Sequence, residues 1–144
     1  MDIQAAAIIE KLGLARHPEG GWYRETWRAD APPDERARAT AIHFLLERGN
    51  RSHWHRVDAG ELWLWHAGSP LALSIAPDTS GPVSHITLGP DVLQGEAPQV
   101  LVPQGHWQAA ETHVGWALVS CVVSPGFEFS GFELAPPGWT PGNG

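Results

Sequence analysis

The stretch SHWHRVDAGELWLWHAG, residues 52–68, decides how this chain folds. Residues two apart on a strand share a face, so the alternation on either side of VDAG reads as two strands, Ser52–Val57 and Glu61–His66, joined by a tight turn. That parity puts His53 and His55 on one face with Trp54 on the other, and Glu61, Trp63 and Trp65 together on the partner strand. Two histidines and a carboxylate then converge on one point. They would supply three of the about four to six ligands that Zn, Mn, Fe or Ni takes. The same residues also read as a buried polar network in which His55 is hydrogen-bonded to Glu61 and no metal is held.

Outward from this hairpin the pattern repeats. Sixteen Gly and thirteen Pro cut the 144 residues into short alternating pieces, which read as strands bounded by turns. The expected strands are 22–28, 38–46, 52–57, 61–66, 71–76, 83–88, 99–102 and 112–123, with a short piece over 127–134. Before them, Asp2 is an N-cap and Ala5, Ile8, Ile9 and Leu12 share one helical face up to Gly13, so residues 2–12 form a short helix. Many short strands with tight turns indicate an all-β sandwich or barrel. Nothing divides the chain, so residues 1–144 are expected to form a single domain, with 136–144 as a loose tail.

Composition narrows the function. The net charge is −7, and there is no basic run to recruit a phosphate backbone, so no nucleic acid is expected as a partner. No apolar run nears the ~18 residues that would cross a bilayer, and the N-terminus lacks a signal-peptide pattern. A lone Cys121 allows no internal disulfide, which fits a cytoplasmic protein. Within its apolar strand it reads as an inert core thiol. Serine-nucleophile, phosphate-loop, dinucleotide and CxxC motifs are all absent from the sequence. Eight Trp raise the expectation of an aromatic-walled cavity.

The order Gly49, His53-x-His55, Glu61, Gly68 resembles the first conserved motif of the cupins, and Pro103-Gln104-Gly105-His106-Trp107-Gln108 resembles part of the second. Gln108 stands where that motif carries its fourth ligand, a histidine, and Ala97 where it begins with glycine. More specifically, HPEGGWYRET (17–26), TAIHFLL (40–46), SHWHRVDAGELWLWHAG (52–68), VPQGHWQAA (102–110) and LVSCVVSPGFEFSGFELA (118–135) are similar to the DUF985 (Cupin_5) family, whose central pattern S-x-x-H-R-x-x-x-x-E falls on Ser52, His55, Arg56 and Glu61. The resemblance implies an all-β double-stranded β-helix (cupin jelly-roll barrel), a likeness to the RmlC-type epimerases, a homodimer, and a cavity at the open end of the barrel.

The expected function is binding of a small polar or sugar-like molecule in that cavity, with epimerase- or isomerase-like proton transfer. His55, held by Glu61, is the base and Tyr23 the acid. Phe44, Trp63, Trp65, Trp107, Gln108, Arg24 and Glu25 are the expected pocket residues. Two alternatives stay open: a metabolite-binding dimer without turnover, and a metal-dependent, dioxygenase-like centre with a divalent metal on His53, His55, Glu61 and Gln108. Parity leaves the facing of His43 and His106 undecided, and His17, His66, His85 and His113 read as surface or turn residues.

Overall fold

In a computed structural model that describes residues 2–142, the chain forms one α-helix, two short 3-10 turns and eleven strands in two antiparallel sheets. Helix α1 (Ile3–Leu12) is capped by Asp2, whose Oδ1 accepts from the amides of Gln4 and Ala5 at 2.7 and 3.1 Å. The strands are β1 (Ala15–Arg16), β2 (Trp22–Arg28), β3 (Thr40–Leu46), β4 (Arg51–Val57), β5 (Gly60–Gly68), β6 (Leu71–Ala76), β7 (Ser84–Leu88), β8 (Gln99–Val102), β9 (Trp107–Glu111), β10 (Ala117–Ser124) and β11 (Phe132–Leu134). One sheet runs β1-β2-β3-β10-β5-β8 and the other β11-β4-β9-β6-β7, so strands far apart in sequence interleave as in a jelly roll.

Alternation on β10 shows how the layers are built. Ala117, Val119, Cys121 and Val123 are buried between the sheets while Leu118, Ser120 and Val122 face outward. At one end this interior is filled by Phe44, Leu46, Trp63, Leu71, Leu73, Ile75, Leu88, Val102 and Val119. On β3 the same parity sends Thr40, Ile42 and Phe44 inward and His43 outward, where it pairs with Arg24 on β2 and Ser120 on β10.

Two expectations need correction. The stretch 112–123 is not one strand, because Trp107–Glu111 belongs to one sheet and Ala117–Ser124 to the other. The chain crosses between them at Thr112, whose Oγ1 donates to the Glu47 carbonyl at 2.8 Å. The tail also does not hang free over residues 136–142. Trp139 stacks on Trp107 at 4.6 Å and meets Trp54 edge-on at 6.4 Å, and the Gly142 amide donates to the Thr79 carbonyl. These contacts offset the chain entropy that would otherwise leave a Pro/Gly-rich terminus loose. Residues 143 and 144 lie outside the described residues.

Candidate functional site

At the end of the sandwich away from the filled core, the two sheets enclose a cavity of about 250 Å³. His55 and Val57 on β4 line one wall. Tyr23 and Glu25 on β2, Thr40 and Ile42 on β3, Glu61 on β5 and Cys121 and Val123 on β10 line the other. Phe127, Glu128 and Phe129 close the rim.

The loop His17–Gly21 supplies what the hairpin alone does not. It turns back on itself, with the His17 amide donating to the Gly21 carbonyl at 2.9 Å and the Gly20 amide to the His17 carbonyl at 3.0 Å. This dips both His17 and Glu19 into the cavity. The Glu19 carbonyl accepts from the His53 amide at 2.8 Å, which takes that donor out of the sheet ladder. Here β4 bulges: Ser52 opposes Ala110 and His55 opposes Gln108, leaving His53 and Trp54 across from Ala109.

The bulge reverses the parity expected for His53. Its side chain turns to the outer surface, where Nε2 meets the Pro136 carbonyl oxygen at 2.9 Å, while His55 stays inside and 1% exposed. The His55 Nδ1 lies 2.7 Å from the His53 carbonyl. A carbonyl only accepts, so Nδ1 carries the proton and Nε2 presents a lone pair inside the cavity, 3.5 Å from Glu19 Oε1. The group that orients His55 is therefore this carbonyl. Glu61 is held instead by Gln108, whose Nε2 donates to Glu61 Oε1 at 2.9 Å while its Oε1 accepts from Trp63 Nε1 at 2.8 Å. The Cys121 thiol also donates to Glu61. Gln108→Leu leaves both Glu61 and the Trp63 N–H short of a partner, so it should cost ~2 kcal/mol in urea denaturation; no measurable loss would argue against the network.

Burial sets the charges. Desolvation raises the Glu19 carboxyl to about 8, opposed by the Ser52 hydroxyl hydrogen-bonded to it, and raises Glu61 to about 6 against the pull of His55. His17 drops to about 4 through desolvation, helped by His55. Its Nδ1 accepts from the Glu19 amide at 3.1 Å, so it too is neutral there. His55 is lowered by desolvation, and burial pushes the Cys121 thiol up, so it stays protonated. Near neutral pH the cavity holds two uncharged imidazoles, a protonated Glu19 and an ionised Glu61.

The structure brings His55, Glu61, Tyr23 and Glu25 to this cavity and puts the other expected pocket residues elsewhere. Phe44, Trp63 and Gln108 form the packed layer beneath it; the rings of Phe44 and Trp63 meet edge-on at 5.9 Å. Trp65 is tied to the Ser69 carbonyl, Trp107 packs on the outer face with Trp139, and Arg24 reaches the Leu12 carbonyl at the end of α1. The aromatic walls come from Tyr23, Phe127 and Phe129. His17 also departs from its surface assignment, being 8% exposed with its ring 4.5 Å from that of Tyr23. HPEGG placed a histidine and a carboxylate beside two glycines, and that was the one sequence signal for a loop pressed into a site.

The residues expected to bind a metal do not fit one. His53 is turned out, both amide atoms of Gln108 are engaged, and among the described residues no group of three or more His, Cys, Asp or Glu side chains is arranged to hold an ion. Nor is any helix among them long and apolar enough to cross a membrane.

The family model described as "Cupin superfamily (DUF985)" matches residues 6–135. A crystal structure of a protein from Shewanella oneidensis is 41% identical, covering 91% of this chain and 84% of its own, with a TM-score of 0.85. A hypothetical protein from Leishmania major is 33% identical over 94% of this chain and 89% of its own, with a TM-score of 0.84. Oxalate decarboxylase from Bacillus subtilis matches 83% of this chain with 29% of its own at 18% identity and a TM-score of 0.63, a likeness of fold. No curated protein matches.

Proposed function

This chain belongs to the DUF985 (Cupin_5) family of the cupin superfamily, and we propose that it binds a small polar molecule in the sandwich cavity and moves a proton on it, as an epimerase or isomerase does. The observation that carries this reading is the His55 ring. Its Nδ1–H is committed to a backbone carbonyl, leaving Nε2 as an uncharged base inside the cavity. A base is most effective when its conjugate acid titrates near the working pH and its geometry is preset. The carbonyl presets it, and the ionised Glu61 stabilises the imidazolium that forms.

Epimerisation needs a proton taken from one face of a carbon and returned to the other. Tyr23 lies on the six-stranded sheet and His55 on the five-stranded one, so the two approach a bound molecule from opposite walls. His55 takes the proton and Tyr23 returns one. Glu61 holds the negative charge that favours protonated His55, and Gln108 holds Glu61.

The test is carbon-bound deuterium uptake in D2O, followed by mass spectrometry on a panel of small hydroxy- and amino-carbonyl compounds. The wild type is expected to label at least one of them. His55→Asn should cut the rate by at least ~100-fold, and Tyr23→Phe should leave uptake in place while blocking conversion to the isomer. Uptake that survives His55→Asn, or binding with no uptake anywhere in the panel, would overturn the reading and leave a binding module. A homodimer belongs to the same proposal, and light scattering on the purified chain checks it.

A further inference from the structure

We propose that the molecule this cavity takes is a small organic cation, an amine or guanidine whose charge sits between Glu61 and the rings of Phe127 and Phe129. This rests on the proton-transfer reading for where the molecule lies and adds its charge. Four glutamates line the cavity, Glu19, Glu25, Glu61 and Glu128; Glu19 keeps its proton near neutral pH, which leaves three carboxylates against a single guanidinium, Arg28. Arg28 is already spoken for: its Nη2 donates to Glu25 Oε1 at 2.7 Å and to the Phe127 carbonyl at 3.0 Å, and its Nε to Glu25 Oε2 at 3.3 Å. Beside Glu128, Arg36 lies 3.9 Å away but makes its short contacts to Asp58 and to the Gly126 carbonyl. Glu61 accepts only from an amide and a thiol, so its charge meets no cation of the protein.

The second observation is independent of the carboxylates. His55 is 1% exposed and directs an acceptor, Nε2, into the same space, with Glu19 Oε1 3.5 Å away, beyond a normal hydrogen bond. Buried acceptors need donors, and an ammonium or guanidinium group brings donors without an acceptor. The rim adds a third element. Phe127 and Phe129 meet edge-on at 4.9 Å, with Phe132 6.0 Å from Phe129, and aromatic faces attract cations. An anion of the same size would meet the charge of Glu61 and one guanidinium already paired with its own carboxylate.

The experiment is calorimetric titration of the full chain with butylammonium, butylguanidinium and tetramethylammonium, against butyrate and butyl phosphate as matched anions. At least one cation should bind at least ten times more tightly than either anion. Glu61→Gln should weaken that binding at least tenfold. Phe129→Ala, at a rim position 53% exposed and so tolerant of truncation, should weaken it several-fold even if Glu61→Gln does not fold. Equal or tighter binding of butyrate or butyl phosphate, binding by none of the cations, or cation binding indifferent to both substitutions would overturn the inference. Cation binding that depends on Glu61, without deuterium uptake in any compound, would keep this inference and remove the proton-transfer reading. Uptake confined to an anionic or neutral compound would do the reverse.

Discussion

Replacing Glu19 by Gln is expected to stabilise the protein by on the order of 5 kcal/mol at pH 8 and above, and to change little below about pH 4.5. In the folded chain desolvation raises the Glu19 carboxyl from 4.5 to about 8. Between those values the native state keeps a proton that the unfolded state has released. A raised carboxyl therefore contributes stability that is fully present below 4.5 and lost as pH rises through 8, at about 1.4 kcal/mol per pH unit. Glutamine imitates the protonated acid at every pH, so the variant escapes the loss.

The wild-type profile follows from the other groups. His17, lowered from 6.5 to about 4, and His55, also lowered, bind protons more readily when unfolded, so they add stability as pH rises through the acid range. Glu61, raised from 4.5 to about 6, opposes them there together with Glu19. From about 6.5 to 8 only Glu19 still changes, and the wild type should lose on the order of 2 kcal/mol. Urea denaturation from about pH 5 to about pH 9 measures both curves. A flat wild-type limb above pH 6.5, or a Glu19→Gln curve parallel to it, would sink the assignment. The cost of burying this acid is understandable if the site uses it, since active sites commonly hold groups that stability alone would remove.

The second large effect concerns Gly20. Its φ is +108°, and a Cβ built there would lie 2.2 Å from the Arg51 carbonyl oxygen, a backbone atom that cannot swing aside. Gly20→Ala should therefore cost roughly 4 kcal/mol, the left-handed strain plus the displacement of the loop from β4. Gly49 separates the two contributions. Its φ is +79° but no atom lies within 4 Å of the added methyl, so Gly49→Ala should cost only ~1 kcal/mol. The variants are compared by denaturant midpoint, and similar losses for both would mean that close approach to Arg51 contributes nothing. Displacing the loop also carries Glu19 and His17 away from His55, so Gly20→Ala should abolish whatever the cavity binds.

The fold was legible because it depends on alternation and punctuation, which are local. Period-two patterning on β5 places Glu61 and Trp63 inward, and Asp2 and Gly13 bound the helix as their chemistry requires. The site was legible only where the alternation held. His55, Glu61, Tyr23 and Glu25 keep their parity and reach the cavity. The reading failed at His53 because one bulge, made where the Glu19 carbonyl takes the His53 amide, shifts the parity of β4 by a residue. It failed for Trp65 and Trp107 because aromatic content says that walls exist but not which cavity they face. Phe127 and Phe129 come from a loop after β10, where no periodicity operates.

By itself, then, the sequence determined that this chain is an all-β sandwich with one short helix and that His55 and Glu61 face inward, because strand periodicity is a property of neighbouring residues. Only the tertiary structure decided what those two residues meet. A loop more than thirty residues upstream brings His17 and Glu19 to His55, Gln108 from a strand of the other sheet takes hold of Glu61, and a bulge turns His53 away. Those meetings depend on which strands pair across the sheets and on where one carbonyl captures one amide, and such long-range hydrogen bonds leave no periodic trace along the chain.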